Sequence, residues 1–275
     1  DFYKNYKNLE NSFIKFIEKT PPTGKSIICI DSKNIKKIFS RIKNKNILTY
    51  GENKNANYRI SKIRYKVDYS IFDLSYRDIT RRKKIIRNIQ LKLLGKHNVL
   101  NAAAAITLCL NLGVDKNIIK KSLKKFSGVQ RRMTKIFSKN KNDFYDDYAH
   151  HPTEIASILE GVKNVYQNRK IITIFEPHRY SRVLSLKNKF VRSFEKSDLV
   201  LICPMYAAGE KRDSRFKIIE FSKQISKLSK TQVIIIKNYK EIQKFLKKNL
   251  VSDEIIIGMG AGVISKHMRE LETFL

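Results

Sequence analysis

Short apolar runs alternate with helix-like segments along the second half of the chain. Four of the five runs contain three to five consecutive apolar or β-branched residues, and the first contains Phe144 and Tyr145 between aspartates. Each run is bounded by polar residues and is followed by apolar residues at helical spacing. Strands that alternate with helices in this way indicate a parallel, doubly wound α/β sheet. The runs, which begin at residues 143, 170, 198, 232 and 253, are DFYDDY, KIITIFE, DLVLICP, QVIIIK and DEIIIGMG.

The first half of the chain is less regular, and a length of 275 residues suggests two domains. Helices are predicted at LENSFIKFIEK, IKKIFSRIKN, NVLNAAAAITLCLNLG and DKNIIKKSLKKF, the last with Asp115 as its N-cap. Strands are predicted at SIICID and NILTYG, followed by short β segments between Tyr58 and about Ile89. We place the boundary near SGVQRRM, which gives domains 1–127 and 128–275.

Composition narrows the classes of function. The net charge of +32 comes from basic residues scattered between apolar ones, without a zinc spacing, an aromatic-glycine RNA motif or a basic tail. We therefore expect no nucleic-acid partner. No run of about 18 apolar residues exists, so no membrane span is expected. Cys29, Cys109 and Cys203 lie far apart in apolar surroundings, which predicts buried free thiols in a reducing cytoplasm.

Two glycine-containing segments resemble nucleotide-binding loops. GKS at residues 24–26 fails as a phosphate loop because position 19 is a lysine and because the segment precedes a strand instead of following one. GMGAG at 258–262 follows a strand, but the chain ends before the acidic ribose ligand of a dinucleotide site. A tight turn between strand and helix is the favoured interpretation, although a helix N-terminus there could attract an anion.

Two further motifs carry polar side chains. In GKHNVLNAAAA, Asn98 and Asn101 lie three residues apart at the start of a helix, where they could contact an adenine edge or simply cap the helix. In GVQRRM, Arg131 and Arg132 could bind phosphate oxygens or lie on a solvated surface.

Polar residues also follow three successive predicted strands. DDYAHHPTE, EPHRYSR and PMYAAGE follow the first, second and third strands of the second domain. Because the carboxyl ends of parallel strands meet at one edge of the sheet, these loops are predicted to line one crevice. Adjacent histidines do not readily share a metal ion, so polar substrate contacts are favoured for His150 and His151.

In this order, GKHNVLNAAAA, GVQRRM, DDYAHHPTE, EPHRYSR and YAAGE resemble the motifs of the Mur ligases. The resemblance covers essentially the whole chain and is closest to the type that joins L-alanine to UDP-N-acetylmuramate. The murein-recycling type shares a DD-aromatic-AHHPT motif but lacks HRYSR. EPHRYSR therefore favours the alanine-adding type.

The resemblance implies that 1–127 is the C-terminal part of a central ATP-binding domain and that 128–275 is a Rossmann-like, amino-acid-binding domain. A UDP-sugar domain, a GTHGKT phosphate loop and magnesium-binding Glu and His residues would precede Asp1, so no metal ligand is expected in this chain. The implied substrates and cofactors are UDP-N-acetylmuramate, L-alanine, ATP and Mg²⁺, and the implied location is cytoplasmic.

Residue roles also follow from the resemblance alone. The ATP-binding residues would be His97, Asn98, Asn101, Arg132 and Asp147. The alanine pocket would be shaped by Tyr148 and His150, and the amino-acid carboxylate or the substrate would be held by His178, Arg179 and Arg182. Ala149 stands where the family usually has Gly, a change that affects only fine geometry.

The implied reaction begins with phosphorylation of the muramoyl carboxylate by ATP, continues with attack by the alanine amine and ends with loss of phosphate. Because the phosphate loop is not in this sequence, we expect these 275 residues to be inactive alone. Three alternatives stay open: an NAD-binding oxidoreductase suggested by GMGAG, a basic nucleic-acid binder, and a truncated copy without activity. The sequence does not indicate an oligomeric state.

Overall fold

The computed structural model describes residues 3, 5–44, 46–66, 69–93 and 95–275. Asp1, before which the resemblance places a UDP-sugar domain and a phosphate loop, is not one of the described residues. The chain divides into two compact units, Asp1–Ser127 (unit 1) and Gly128–Leu275 (unit 2). None of the helices in the described ranges is both long enough and apolar enough to cross a membrane.

Unit 2 is built on a six-stranded sheet with helices between its strands. The sheet has the order β10-β9-β8-β11-β7-β6, and all neighbouring strands are parallel except β6 and β7. The strands are β6 (Thr134–Lys139), β7 (Asn142–Asp147), β8 (Lys170–Phe175), β9 (Leu199–Ile202), β10 (Gln232–Ile235) and β11 (Glu254–Met259). The helices are α5 (Pro152–Val165), α6 (Tyr180–Ser185), α7 (Lys187–Phe190), α8 (Ile218–Ser229), α9 (Tyr239–Asn249) and α10 (Ile264–Phe274).

This architecture confirms the predicted α/β class and the five parallel strands. It adds β6, an antiparallel edge strand that the sequence analysis did not identify, because TKIFSK is short and joined to β7 by a tight turn. The sheet is buried by apolar side chains on both faces, and β8, β9 and β11 are hydrophobic along almost their whole length. Strand β7 is also largely buried, but only Phe144 and Tyr145 of its six residues are apolar. Such continuous burial is typical of parallel strands covered by helices.

The apolar residues of SLKNKFVRSFEK, residues 185–196, predict a single helix, but in the structure this helix is interrupted. Helix α7 ends at Phe190, and the Ser193 hydroxyl then donates to the Phe190 carbonyl, while the Phe194 N–H donates to the Ser229 hydroxyl. The Ser193 and Ser229 hydroxyls thus bond to a carbonyl and an N–H group that would pair with each other in a continuous helix. Phe190 and Phe194 stay fully buried despite the break.

Unit 1 contains a five-stranded mixed sheet in the order β1-β2-β3-β4-β5. β1, β2 and β3 are parallel, whereas β3, β4 and β5 form antiparallel pairs. The strands are β1 (Ser26–Cys29), β2 (Ile47–Gly51), β3 (Tyr58–Tyr65), β4 (Ser70–Arg77) and β5 (Lys83–Leu91). The helices are α1 (Tyr6–Glu18), α2 (Lys33–Phe39), α3 (Lys96–Asn111) and α4 (Lys116–Lys125).

Local signals in unit 1 are largely confirmed. The Asp115 carboxylate accepts the Asn117 N–H and caps α4, as predicted. The short β segments predicted between Tyr58 and about Ile89 are the longer strands β3, β4 and β5. Strand β4 lies in the middle of this antiparallel part and buries Phe72 and Leu74. The cysteine prediction is only partly right: Cys203 is buried, but Cys29 and Cys109 are partly exposed.

Candidate functional site

The loops that follow β7, β8 and β9 come together at one edge of the unit 2 sheet. The His178 ring stacks on the Tyr206 ring with centroids 5.3 Å apart, and it lies 5.7 Å from the His150 ring. The Tyr148 ring contacts His150 edge-on at 5.2 Å. We call Tyr148, His150, His178, Arg182 and Tyr206 the strand-end cluster. Three of the loops predicted to line one crevice therefore meet.

Asp147, at the end of β7, fixes the backbone around the strand-end cluster. One carboxylate oxygen accepts the Ala149 N–H at 2.7 Å, and the other accepts the Met133 N–H at 2.8 Å. Burial raises the pKa of Asp147 to about 6, although the two N–H groups oppose this shift. Asp147 is 1% exposed. Through these two hydrogen bonds its carboxylate holds the backbone next to Arg132 and Tyr148.

The paired arginines have different environments. Arg131 donates to the Gly260 carbonyl at 2.6 Å and lies over the Tyr148 ring at 4.6 Å, so it is used within unit 2. Its Nε lies 4.0 Å from the fully buried Asp146 carboxylate, which also accepts the Ser265 hydroxyl at 2.5 Å. Arg132, in contrast, is exposed. Only the second arginine is therefore open to a ligand.

Glu176, the first residue of EPHRYSR, follows β8 directly and closes the GMGAG turn. Its carboxylate accepts the N–H groups of Gly262 at 2.9 Å and Val263 at 3.2 Å, and the Tyr239 hydroxyl at 2.5 Å. A Cβ at Gly262 would lie 2.5 Å from Glu176 Oε1, so the close approach requires glycine. The interpretation of GMGAG as a tight turn is confirmed, and an internal carboxylate occupies the N-terminus of α10.

EPHRYSR places its basic residues on and before α6. Arg182 Nη1 lies 3.0 Å from His178 Nδ1, one helical turn away. Burial, and then the positive charges of Arg182 and a protonated His150, lower the pKa of His178 to about 4. Burial and the neighbouring Arg179 charge also lower the pKa of Arg182. His178 is therefore neutral near pH 7.

Two glutamates missed by the sequence analysis support these loops. Glu210 accepts the Ser181 N–H at 3.1 Å and the Ser181 hydroxyl at 2.5 Å, and so caps the first turn of α6. Glu154 accepts the backbone N–H groups of His150 and His151 at 3.2 and 3.3 Å. Glu210 lies in YAAGE and Glu154 lies in DDYAHHPTE, two motifs noted above. Glu154 was recognisable from the sequence, because a glutamate three residues after a helix N-cap is a known capping signal.

The adenine candidates lie in unit 1, in the first two turns of α3. Asn98 is 9% exposed, His97 is partly exposed and Asn101 is exposed. The helix begins after Gly95, which has φ +93° and would bring a Cβ to 2.9 Å from the His97 ring. Asn101 and His97 can therefore reach a ligand more directly than Asn98 can.

The implied Mg²⁺ ion finds no ligand set among the residues that the structure describes. Within the described ranges, no group of three or more His, Cys, Asp or Glu side chains is placed to hold a metal ion. These residues thus do not fit a Mg²⁺ site of their own, and an ion would need ligands from other groups.

Two family models match the chain. The Mur ligase middle domain matches residues 1–109, and the Mur ligase glutamate ligase domain matches residues 131–262. Together the two Mur ligase models cover most of the chain.

Curated relatives agree with these matches. A UDP-N-acetylmuramate–L-alanine ligase from Pelagibacter ubique is 47% identical over 98% of this chain and 58% of its own length. One from Wigglesworthia glossinidia brevipalpis is 38% identical over 98% of this chain and 58% of its own length. The chain thus spans less than two thirds of the length of the relatives it matches.

Solved structures share the fold. A UDP-N-acetylmuramate-alanine ligase from Thermotoga maritima has a TM-score of 0.75 and 23% identity, covering 99% of this chain and 55% of that one. A MurF ligase from Thermotoga maritima, in complex with ADP, has a TM-score of 0.72 and 14% identity, and the match covers 100% of this chain and 60% of that one.

Proposed function

The chain belongs to the Mur ligase family, and we propose that it forms part of an ATP-dependent ligase that joins L-alanine to UDP-N-acetylmuramate. In this proposal unit 1 is the C-terminal part of the ATP-binding domain, and unit 2 is the amino-acid-binding domain. The name and the 47% identity of the Pelagibacter relative support the choice of alanine and of the nucleotide sugar.

The strand-end cluster is the observation that carries the proposal. Arg182 and the adjacent exposed Arg179 supply positive charge, while His178 is neutral, and the Tyr148 and Tyr206 rings limit the space beside them. Guanidinium groups suit a carboxylate because they can donate two parallel hydrogen bonds. A small zwitterionic amino acid is a ligand that matches this combination of charge and size.

We assign the steps of the reaction to residues by what each can do. Arg179 and Arg182 bind and orient the alanine carboxylate, so that its amine faces the acyl phosphate. Tyr148 and His150 border the amino-acid pocket. Exposed Arg132 neutralises phosphate oxygens, and Asp147 positions it by holding the Met133 N–H. ATP supplies the phosphoryl group, and His97, Asn98 and Asn101 are assigned to its adenine.

A dinucleotide-dependent oxidoreductase is disfavoured by Glu176. The N–H groups of Gly262 and Val263, which would face a pyrophosphate, already donate to this buried carboxylate. A phosphate there would meet the negative charge of Glu176 at close range. We propose no nucleic-acid or membrane partner, and a cytoplasmic location in keeping with ATP and a nucleotide-sugar substrate.

The proposal is tested by ADP release from the complete protein that contains this chain, with UDP-N-acetylmuramate, ATP, magnesium and alanine. We expect alanine-dependent turnover from the complete protein and none from residues 1–275 alone, because these residues contain no phosphate loop. Arg182→Ala should raise the KM for alanine by about 10- to 100-fold through loss of a charge-assisted pair. Arg192→Ala, on the exposed surface of unit 2, is the matched control. Absence of alanine-dependent ADP release would overturn the proposal.

A further inference from the structure

The hydrogen-bond partner of His178 fixes which ring nitrogen carries the proton. Arg182 Nη1 lies 3.0 Å from His178 Nδ1. A guanidinium group can only donate, so Nδ1 must accept with its lone pair. In a neutral imidazole the other nitrogen then carries the hydrogen, and His178 presents Nε2–H as a donor.

His150 is in the opposite state. Its Nδ1 lies 2.9 Å from the Tyr148 carbonyl oxygen, and 3.8 Å from a carboxylate oxygen of Glu154. A carbonyl and a carboxylate can only accept, so His150 Nδ1 carries the hydrogen. The lone pair of neutral His150 is then on Nε2. Two imidazoles 5.7 Å apart in the strand-end cluster thus present opposite groups at the same ring position.

His151 does not share the state of its neighbour. The Thr153 N–H donates to His151 Nδ1 at 3.3 Å as part of the N-cap of α5. Its Nδ1 lone pair is used in the cap, so its Nε2 carries the hydrogen when the ring is neutral. Of the three histidines in the two strand-end loops, only His150 offers an Nε2 lone pair.

We propose that His150 Nε2 is the proton acceptor for the incoming ammonium group, and that His178 is a fixed neutral donor that cannot act as a base. The inference rests on the proposed function for the identity of the ammonium group. In the step, one N–H bond of the ammonium breaks and one N–H bond forms at His150 Nε2. The amine keeps the electron pair that attacks the acyl phosphate, and the imidazolium later returns its proton to water.

The charges around each ring support the division of roles. His178 faces Arg182, His150, Arg179 and Glu210, and the cations among them, together with burial, lower the pKa of His178 to about 4. A proton on His178 would also remove its bond with Arg182, because both groups would then be donors.

His150 has a different set of neighbours. Glu154 from α5, the Tyr148 ring and the His178 ring face it. The Glu154 carboxylate is the only full charge of this set, and its nearest oxygen lies 3.8 Å from His150 Nδ1. His150 therefore combines an Nε2 lone pair with a carboxylate beside its Nδ1–H group.

The tautomers can be read directly by long-range ¹H–¹⁵N correlation NMR on the 275-residue chain with ¹⁵N-labelled histidine. The sequence has only five histidines, so single His→Gln substitutions assign every signal. We expect His178 to show an unprotonated Nδ1 and to stay neutral down to about pH 4, and His150 to show an unprotonated Nε2. A protonated Nδ1 on His178, or a protonated Nε2 on neutral His150, would overturn the proposal.

Two matched variants separate the specific contact from a general effect of charge. Arg182→Met should release the His178 tautomer into a mixture and raise its pKa towards the ordinary value. Arg179→Met removes a nearby charge but no bond to the ring, so the His178 tautomer should persist. The backbone amide spectrum of each variant shows whether unit 2 keeps its fold. If unit 2 of Arg182→Met does not fold, Arg182→Lys, which keeps a donor, should retain the tautomer. Equal behaviour of the two methionine variants contradicts the proposal.

Kinetics in the complete protein test the roles. His150→Gln should lower kcat by about 100-fold or more and remove a basic group from the pH profile of kcat. His178→Gln should mainly raise the KM for alanine. A fall in kcat for His178→Gln with none for His150→Gln would reverse the assignment. A wild-type protein without ligase activity would contradict the proposed function, whereas the NMR result would still decide the tautomers.

Discussion

The two units position their candidate residues by different means. In unit 2 the strand-end cluster is drawn from three loops, and two carboxylates within the same motifs hold those loops: Asp147 at the end of β7 and Glu210 in the loop after β9. In unit 1 the three adenine candidates share the start of one helix. A site built from several loops depends on the whole sheet, whereas a site on one helix depends mainly on that helix.

The cores differ as well. Among the described residues, unit 2 buries about twice as many hydrophobic side chains as unit 1. Unit 1 leaves large apolar side chains exposed on α1, including Phe13 at 50% and Phe16 at 75%. Burial of apolar area is the main favourable term in folding. The comparison indicates that unit 2 is the more stable and more pre-organised half.

The largest expected effect concerns independent folding. Residues 128–275 expressed alone should unfold cooperatively, with a free energy of unfolding of about 5–15 kcal/mol. Residues 1–127 alone should unfold at a lower urea concentration, because their core is smaller. Circular dichroism during urea titration measures both. A higher urea midpoint for residues 1–127 than for residues 128–275 would contradict the inference that unit 2 is the more stable unit.

The second prediction concerns the GMGAG turn of unit 2. Glu176→Ala leaves the N–H groups of Gly262 and Val263 without their acceptor, and should lower the free energy of unfolding by about 3 kcal/mol or more. Tyr239→Phe removes only one hydroxyl from the same carboxylate and should cost about 1 kcal/mol. Chemical denaturation of both variants checks the order, and equal costs would show that the two N–H bonds contribute little.

The third prediction uses pH. The raised pKa of Asp147 gives stability that is present below its ordinary pKa and is lost as pH rises towards 6; the effect is at most about 3 kcal/mol. The lowered pKa of His178 gives stability that is present above about pH 6.5 and is lost as pH falls towards 4. The two trends oppose each other between pH 4 and 6.5.

Relative to wild type, His178→Gln should therefore lose stability as pH rises through this window, and Asp147→Asn should gain it. The free energy of unfolding of residues 128–275, measured by urea denaturation at several pH values, provides the test. Slopes that change in the same direction in both variants would contradict the assigned pKa shifts.

The smallest expected effect is local to unit 1. Asp115→Ala removes the N-cap of α4 and should cost about 1 kcal/mol. Asn117→Ala, which changes a side chain in the same turn but keeps the capped N–H, is the control. Urea denaturation of each variant measures the difference. A cost above about 2 kcal/mol for Asp115→Ala would show that unit 1 depends on single local contacts more than its structure indicates.

Much of the fold could be predicted because its signals are local. Four of the five parallel strands of unit 2 are apolar runs bounded by polar residues, and the Asp115 cap precedes a helical pattern. The edge strand β6 gave a weaker signal, since three of its six residues are lysine or serine. The break after α7 depends on Ser229, 35 residues away from Phe194, and no local pattern contains that information.

The candidate site was likewise predictable where its signals are local and not where distant residues meet. The order of the polar loops after β7, β8 and β9 was enough to predict that His150 and His178 lie near each other. The pairing of Glu210 with Ser181 was not predictable, because the two residues are 29 positions apart and meet only when β8 and β9 pair. Likewise, sequence spacing put Asn98 and Asn101 on one helix face, but it could not show that Asn98 is nearly buried.

One backbone feature of unit 2 links stability to activity. Arg179 has φ +68°, a left-handed conformation that costs a residue with a side chain about 1 kcal/mol or more, and its N–H donates to the Tyr206 carbonyl at 2.9 Å. Glycine would adopt this conformation without strain and would keep that hydrogen bond, but it would remove the guanidinium group. Position 179 therefore carries a trade-off: the residue that best suits the chain there is not the residue that best suits a carboxylate ligand. A screen that selects only for thermal stability would tend to choose glycine at this position and lose binding.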